Sequence, residues 1–420
     1  MPIIDQVLTI QRFHEVGHQR KRDLSTIKRV IFLCESPPDA RKYKYFGIEL
    51  LEKNGFQVEV WDLTRILHPE FLKKYVPPHQ FGYKMLRAFE AKAAAYEQLQ
   101  KLSRNDFVVN CISYYFWNLG VYRALSRSQA HYAVSFANPV PIFKKVRLHI
   151  LKRALGNLIR FRRSDSKFFV LWKKFIMMLP PSWLGVKPAR LVLTGGEKYY
   201  MFRYPVDKTT EVLKIHSFDY ERYLEQKGEP CTVKPMAVFI DEFAPFHPDN
   251  IFDGKEQSMP AAKYYALLNR TFDYIEQRTG CKVVIAADPR SNYEDLPDYF
   301  NGRPWFRGKT IDLVRESQFV LAHRSTAVSF VNLYYKPVIF LTCEYFDKRF
   351  DGKQVKEMAR WFGKKPVFLE EPEKIDFGKE LIVEKNCYDR YRAAFLKAHD
   401  SISKDHPFWQ VVADRFKRGL

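Results

Sequence analysis

The chain has 420 residues, 46% of them hydrophobic and 16% aromatic, and its 69 Lys and Arg against 48 Asp and Glu give a net charge of +21. This apolar content excludes a disordered chain, and the length predicts two or three domains. We expect neither a membrane-spanning helix nor a secretory signal, because no apolar run approaches the roughly 20 residues that span a bilayer. Six cysteines scattered without close pairs predict free thiols in a reducing compartment.

The first half of the chain alternates strand and helix patterns. Arg29–Cys34 is a short apolar run closed by the turn signal Glu35-Ser-Pro-Pro38, and the amphipathic stretch Tyr45–Asn54 ends at a glycine. Tyr83–Leu102 shows the clearest helical pattern of this half. Further strands are predicted at Phe56–Trp61, Phe107–Ile112, Tyr132–Phe136 and Leu191–Leu193.

The second half shows the same alternation. A buried strand, Met236–Ile240, ends at Asp241-Glu242, and the helical stretch Ala261–Thr279 closes with a glycine. Strands that alternate with helices form parallel sheets covered on both faces, so the sequence predicts an α/β protein of two such domains that meet near Tyr223–Pro235. The remaining strands of this half are predicted at Lys282–Ala287, Phe319–Ala322 and Pro337–Leu341.

Groups that suit a phosphate follow two of these strands. Ser325 and Thr326 precede a predicted helix, where their hydroxyls and the helix N–H groups can hold a phosphate; the alternative is that they only cap the helix. Arg290 follows another strand after a proline-stiffened turn and suits bidentate phosphate contacts. Ligands of parallel sheets bind beyond the carboxyl ends of the strands, so we predict a nucleotide-phosphate site there. Its residues are Asp288, Pro289, Arg290, His323, Ser325 and Thr326.

Carboxylates also stand at strand ends. Asp241 and Glu242 are flanked by aromatic residues, and a carboxylate so placed can act as a general base or a nucleophile; a capping or loop acid is the alternative. Glu35 and Ser36 end the first strand of the other domain, and they face the same crevice if the two domains are opposed. A turn-forming role is the alternative for this pair.

The excess positive charge is concentrated in residues 141–190, where thirteen Lys and Arg and one acid give a net +12. Apolar residues recur there at helical spacing, which is typical of a basic amphipathic helix on anionic lipid; a solvated helix docked on a core is the alternative. Aromatic residues suited to a membrane interface include Trp172 and Trp183. The predicted membrane contacts are Lys152, Arg153, Arg160 and Arg163.

Other motifs give weak signals. His14-Glu15-Val-Gly-His18 matches a zinc-protease pattern, but it contains a glycine, precedes a basic run and lacks a third ligand, so we predict no metal. The sequence has no P-loop and no G-x-G-x-x-G. The sequence therefore does not contain the motifs that usually indicate an ATPase or a dinucleotide-dependent oxidoreductase.

Three segments carry a resemblance to a known family. The runs KVVIAADPR, GKTIDLVRESQFVLAHRSTAVSF and KPVIFL resemble the C-terminal half of GT-B glycosyltransferases. In particular, they resemble the sialyltransferase-like and Kdo-transferase-like enzymes of bacterial surface polysaccharide synthesis. The resemblance covers about residues 236–342. Those families have an acidic-pair, a His-Pro and a Ser/Thr motif, which Asp241-Glu242, Asp288-Pro289 and Ser325-Thr326 resemble. Asp288 stands where the family has His and would repel a phosphate, so Arg290 or His323 is expected to take over that contact.

The resemblance implies a GT-B-like fold, with two Rossmann-type domains whose parallel sheets face a central cleft. Residues 1–230 would form the acceptor-side domain, 231–385 the nucleotide-sugar-binding domain, and 386–420 C-terminal helices. It further implies that Asp241 is the catalytic carboxylate with Glu242 in support, that Ser325 and Thr326 hold the donor phosphate, and that neither a cofactor nor a metal is needed.

The predicted function is therefore a bacterial glycosyltransferase, peripheral to the inner face of the cytoplasmic membrane, that builds lipopolysaccharide or capsule. Its donor would be a CMP-activated keto-acid sugar such as Kdo or a sialic-acid-like sugar; a UDP- or dTDP-sugar is the alternative. Its acceptor would be a glycan or lipid-linked glycan. Outside the enzyme class, the pI of about 9.5 suggests a nucleic-acid-binding protein, but the confined charge favours a membrane over nucleic acid. A third alternative, favoured by Asp288, is an inactive structural subunit.

Overall fold

The computed structural model describes residues 26–73, 82–141, 172–173, 176–177, 179–198, 204–249, 259–347 and 350–420. Within these residues the strands form two sheets. The first sheet contains β1 (Arg29–Cys34), β2 (Gln57–Asp62), β3 (Leu86–Ala88), β4 (Asp106–Asn110), β5 (His131–Phe136), β6 (Leu191–Thr194) and β7 (Glu211–Lys214). The second contains β8 (Met236–Ile240), β9 (Lys282–Ala287), β10 (Trp305–Arg307), β11 (Phe319–Ala322), β12 (Val338–Thr342) and β13 (Val367–Phe368).

Helices connect the strands on both faces. Those before the second sheet are α1 (Ala40–Tyr45), α2 (Ile48–Lys53), α3 (Thr64–Leu67), α4 (Pro69–Leu72), α5 (Lys92–Gln100), α6 (Leu119–Arg127) and α7 (Phe218–Gln226). The later helices are α8 (Ala261–Thr279), α9 (Thr310–Glu316), α10 (Val328–Leu333), α11 (Glu344–Asp347), α12 (Phe350–Trp361), α13 (Phe377–Glu380), α14 (Lys385–Tyr391) and α15 (Phe408–Lys417). Tyr83–Leu102 was predicted as one helix, but it holds the edge strand β3 and the shorter helix α5.

Both sheets are parallel and share one topology. The strand orders are β3-β2-β1-β4-β5-β6-β7 and β10-β9-β8-β11-β12-β13. In each sheet the chain starts at a central strand, moves outward, and then crosses to the other side, so the order reverses between β1 and β4 and between β8 and β11. In such open sheets ligands bind at the carboxyl ends of the strands beside this reversal point. The topology confirms the predicted fold class of two Rossmann-like domains.

Each central strand is buried on both faces. Val30 and Phe32 of β1 point into one apolar cluster, whereas Ile31 and Leu33 point into the cluster on the opposite face. The β8 residues alternate in the same way between two clusters of the second sheet. Strands covered by helices on both faces read as continuous apolar runs, which explains why β1, β8, β9 and β11 were predicted at their observed bounds.

The two domains are linked twice. Helix α7 leads from β7 to the second domain, where Gln226 donates a hydrogen bond to Asp312 at 2.8 Å. The stretch predicted as C-terminal helices, 386–420, divides between the domains: α14 packs into the second core, whereas α15 packs into the first. Between α14 and α15 the chain returns to the first domain and passes close to Gly196. A Cβ atom at this position would lie 2.4 Å from the Ala394 carbonyl oxygen, so only glycine fits.

Two further sequence predictions concern the chain as a whole. All six cysteines are free thiols in the structure. Among the helices formed by the described residues, none is long and apolar enough to cross a membrane.

Candidate functional site at the strand ends of the second domain

Asp241 lies directly after β8 and is 2% exposed. Both of its carboxylate oxygens are engaged: Oδ1 accepts a hydrogen bond from the Phe243 N–H at 3.0 Å, and Oδ2 accepts one from the Tyr293 hydroxyl at 2.8 Å. Burial raises the pKa of Asp241 to about 7, although the Tyr293 hydrogen bond opposes the shift. Asp241 is thus a buried carboxyl that titrates near neutral pH behind the strand ends, and its side chain does not face a cleft in this conformation.

Glu242, the next residue, joins β8 to the loop after β11. Its Oε1 accepts a hydrogen bond from the Arg324 N–H, and its Oε2 lies 3.6 Å from Arg324 Nε. The Arg324 guanidinium also pairs with Asp351, at 3.0 Å between Nη2 and Oδ1. The Arg324 side chain is 42% exposed and that of Glu242 15%, so solvent reaches the Arg324 guanidinium at this reversal point.

Arg290 is held by three partners at the end of β9. Its Nη1 donates to Asp249 at 2.9 Å, its Nη2 contacts His247 Nε2, and its Nε lies 3.7 Å from Asp288. Asp288 also accepts the Arg290 backbone N–H at 2.7 Å. In place of a phosphate contact, Asp288 therefore fixes the Pro289-Arg290 turn. Burial lowers the pKa of His247, and Arg290 lowers it further, so this imidazole is neutral at pH 7.

His323 does not contribute the predicted phosphate contact in this conformation. It is buried, its Nδ1 lies 2.7 Å from the Leu341 carbonyl oxygen, and its Nε2 lies 2.9 Å from the Tyr264 hydroxyl. Burial lowers the pKa of His323, so a neutral ring donates from Nδ1 and accepts at Nε2. The side chain joins the core between β11, β12 and α8 because both ring nitrogens find partners there.

Ser325 and Thr326 lie beside Arg324, in the loop before α10. Ser325 is partly exposed and its Oγ accepts the Ala327 N–H at 3.3 Å, whereas Thr326 is exposed. The helix begins at Val328, and Ala327 is the residue that precedes its first turn. Arg324, Ser325 and Thr326 thus form one exposed segment at the carboxyl end of β11.

The first domain repeats this arrangement at its own reversal point. Glu35 follows β1, and it accepts hydrogen bonds from the Ser113 N–H at 3.0 Å and from Asn118 Nδ2 at 3.0 Å, both in the segment after β4. His68 Nε2 lies 3.6 Å from the same carboxylate. Ser36 instead turns back to Lys42, whose Nζ donates to its Oγ at 3.0 Å. Glu35 in the first domain and Glu242 in the second therefore each tie together the two strands where the order reverses.

Sequence reasoning missed four residues of this site: His247, Asp249, Arg324 and Asp351. Two of them stood in the segment Phe243–Asp249 after the acidic pair, where the dipeptide His247-Pro248 was a usable signal. Arg324 lies between His323 and Ser325, both of which were predicted. Asp351 had no signal, because it reaches the site only through the fold.

Several predictions lie outside the described residues. Lys152, Arg153, Arg160 and Arg163 do so, as does the segment His14–His18. Within the part of the chain that the structure describes, no group of His, Cys, Asp and Glu is placed to hold a metal ion.

Comparisons with known proteins show the fold. No family model and no curated protein sequence matches the chain. A variant of the wall teichoic acid polymerase TagF is similar in structure, with a TM-score of 0.50, 12% identity, and coverage of 93% of this chain and 88% of that one. The structure of the same variant soaked with CDPG has a TM-score of 0.50 and 11% identity, with the same coverage. MurG of Acinetobacter baumannii aligns over 93% of this chain and 99% of its own, with 12% identity and a TM-score of 0.44. Together with the two sheet orders, the likeness to TagF shows that this chain has the GT-B fold.

Proposed function

We propose that the protein is a glycosyltransferase that moves a sugar from a nucleotide-sugar donor to a glycan acceptor. The observation that carries the proposal is the charged network at the reversal point of the second sheet, where Glu242, Arg290 and Arg324 end three neighbouring strands. The GT-B fold and the resemblance of residues 236–342 support the same function. A CMP-activated keto-acid sugar remains our proposed donor, with a UDP- or dTDP-sugar as the alternative.

In this proposal the donor phosphate binds the exposed segment Arg324-Ser325-Thr326. Arg324 offers a guanidinium that Glu242 and Asp351 orient, and the two hydroxyls lie next to it in the chain. Arg290 was predicted as a direct phosphate contact. Because its guanidinium is already held by Asp249, His247 and Asp288, we now propose that it orders the neighbouring loop.

Replacing Arg324 by Ala should weaken nucleotide binding by about 10- to 100-fold, since a hydrogen bond to a charged group contributes roughly 1.5–3 kcal/mol. The double change Ser325→Ala and Thr326→Ala should have an effect of the same order. The measurement is a thermal-shift titration with CMP, CDP, UDP, dTDP and CDPG. A ligand at 100 times its Kd stabilises the wild type by roughly 2.7 kcal/mol, and the ligand that does so identifies the donor class.

Arg270→Ala is the matched control, because Arg270 is an exposed arginine of the same domain that pairs only loosely with Glu373, at 3.7 Å. It should bind nucleotide like the wild type. If no nucleotide stabilises the wild-type protein, the proposed function is wrong. If nucleotides bind equally well to Arg324→Ala, the phosphate site lies elsewhere.

The burial of Asp241 changes our proposal for the catalytic carboxylate. The resemblance implied that Asp241 reacts and Glu242 supports it, but Asp241 is enclosed and Glu242 is the more exposed of the two. We therefore propose Glu242 as the catalytic base for the acceptor hydroxyl. Asp241 becomes a positioning residue that fixes the turn at Phe243 through the hydrogen bonds described above.

We further propose that the basic segment 141–190 attaches the enzyme to the inner membrane face. Changing Lys152, Arg153, Arg160 and Arg163 to Gln should release the protein from anionic vesicles, because each basic residue near such a surface contributes about 1 kcal/mol. Vesicle sedimentation at low and high salt measures this, with nucleotide binding as the control for folding. Wild-type protein that stays in solution with anionic vesicles at low salt would contradict the attachment.

A further inference from the structure

The chain crosses between the two domains twice, and the two crossings contact each other. Residues 215–217 form the first crossing, between β7 and α7, and residues 397–407 form the second, which leads back to α15. The Ser217 N–H donates a hydrogen bond to the Leu396 carbonyl oxygen at 2.6 Å, and the Ile402 N–H donates one to the last carbonyl oxygen of β7 at 2.9 Å. Contacts between the crossings therefore help to fix one domain against the other.

His216 lies between the two crossings and is fully buried. Its Nδ1 lies 3.1 Å from the Ser217 carbonyl oxygen, and its Nε2 lies 3.0 Å from the His406 carbonyl oxygen. A carbonyl oxygen can only accept a hydrogen bond, so each ring nitrogen needs a proton to donate one. A neutral imidazole has one such proton, and its other nitrogen would face a carbonyl oxygen lone pair to lone pair. The geometry is therefore that of an imidazolium, with a proton on both nitrogens.

Negative charge lies close to this ring. Glu221 Oε2 accepts the Phe408 N–H at 2.7 Å, and this bond and the positive charge of His216 both counteract the rise that burial causes in the pKa of Glu221. The Lys397 ammonium lowers the pKa of Asp405, whose carboxylate also interacts with His216. The titratable groups around the ring are Tyr220, Glu221, Glu225 and Lys227 of α7, Lys397 and Asp405 of the second crossing, and the pair Lys214 and Asp400. Two carboxylates thus compensate the buried positive charge, as a charge at such a position requires.

We propose that His216 is a pH-sensitive link between the two domains. With both nitrogens protonated, the ring binds the backbone of the first crossing through Nδ1 and that of the second through Nε2. Loss of one proton leaves one carbonyl oxygen without its donor, so the two crossings are held together less tightly. Imidazole exchanges its proton between about pH 5 and pH 8, so the link is complete at the acidic end of this range and weakens as the pH rises. The link does not depend on the proposed transferase function.

Hydrogen exchange measured by mass spectrometry on the full-length protein tests this link. After correction for the intrinsic exchange rate at each pH, the backbone amides of the two crossings, Ser217 and Ile402 included, should exchange about tenfold faster at pH 8 than at pH 5. Nitrogen NMR of the histidine rings provides the second measurement. The His216 ring, assigned by its absence from His216→Gln, should have two protonated nitrogens at pH 5 and one at pH 8.

Three variants identify the group that is responsible. His216→Gln should exchange fast at every pH, because an amide cannot gain the second proton. In Glu221→Gln an oxygen still accepts the Phe408 N–H but the negative charge is lost, so the change in exchange should move to lower pH. His406→Gln is the matched control, since His406 gives its backbone carbonyl oxygen to the link while its side chain is exposed, and it should behave like the wild type.

Equal exchange of the crossings at pH 5 and pH 8 in the wild type would overturn the proposal, and so would a ring with one protonated nitrogen at pH 5. A pH dependence that persists in His216→Gln would belong to another buried group, such as Asp219, and would also overturn it. Should His216→Gln fail to fold, Glu221→Gln remains decisive: a change in exchange at the same pH as in the wild type would contradict a charged link.

Discussion

Glu242→Gln should lower kcat by about a hundredfold or more while donor affinity stays close to that of the wild type. Gln has the same shape and keeps an oxygen that can accept the Arg324 N–H, so the loop after β11 should hold its position. What Gln lacks is the capacity to take a proton from the acceptor hydroxyl. Steady-state turnover and nucleotide titration on the same preparations measure the two effects separately.

Asp351→Asn provides the control for this experiment. Asp351 pairs with the same guanidinium as Glu242, so its removal disturbs Arg324 to a similar degree without removing the proposed base. Turnover should fall much less in Asp351→Asn than in Glu242→Gln. Equal losses in the two variants would mean that Glu242 acts only by orienting Arg324, and the base would then be sought at Glu35.

Asp241→Asn should remove a pH dependence of stability that the wild type shows. The pKa of Asp241 is about 7 in the folded protein and near its ordinary value of 3.8 when unfolded. A raised carboxyl pKa means that the folded state binds the proton more tightly than the unfolded state does, so protonation of Asp241 stabilises the fold. This stabilisation is fully present below about pH 4 and is lost as the pH rises to 7. The wild type should lose about 3 kcal/mol of unfolding free energy relative to Asp241→Asn between pH 5 and pH 8.

Urea unfolding of both proteins at pH 5, 6, 7 and 8 measures this difference, and other titrating groups cancel because the variants share them. Asp219→Asn is the matched control, because burial raises the pKa of Asp219 to about 6. The stability that protonated Asp219 contributes should therefore be lost at a lower pH than the contribution of Asp241. Parallel stability curves for the wild type and Asp241→Asn would show that this carboxyl stays ionised in the folded protein.

The central strands could be predicted from sequence, and the edge strands could not. The strands that were missed, β3, β7, β10 and β13, are the outer strands of the two sheets. An edge strand is hydrogen-bonded on one side only and its faces are less covered, so it does not need the continuous apolar run that identified β1 and β8. The wrong prediction of a single helix over Tyr83–Leu102 has the same cause, because the edge strand β3 occupies the first part of this stretch.

The sequence predicted where the candidate site lies, but not which side chains contact one another there. Strand ends are visible in sequence, and this brought Asp241, Glu242, Arg290 and Ser325 into one region. Which side chain is exposed there depends on contacts between distant segments. Tyr293 covers Asp241 from 52 positions away, and Asp351 reaches Arg324 from a helix whose pattern carries no sign of a site. These contacts decided that Glu242, and not Asp241, is the more exposed carboxylate of the acidic pair.

Helix α15 completes the core of the first domain, and this has a consequence for how the protein is made. Gln410 bonds to Asn54 across 356 positions, and Trp409 packs on the same domain with its indole N–H on the Tyr45 carbonyl oxygen. At 5–20 residues per second, a ribosome needs roughly 20 to 70 s to add the residues between Asn54 and Gln410. During that time the apolar face of α2 lacks its partner, so the nascent first sheet is a target for chaperones until the second domain has been synthesised.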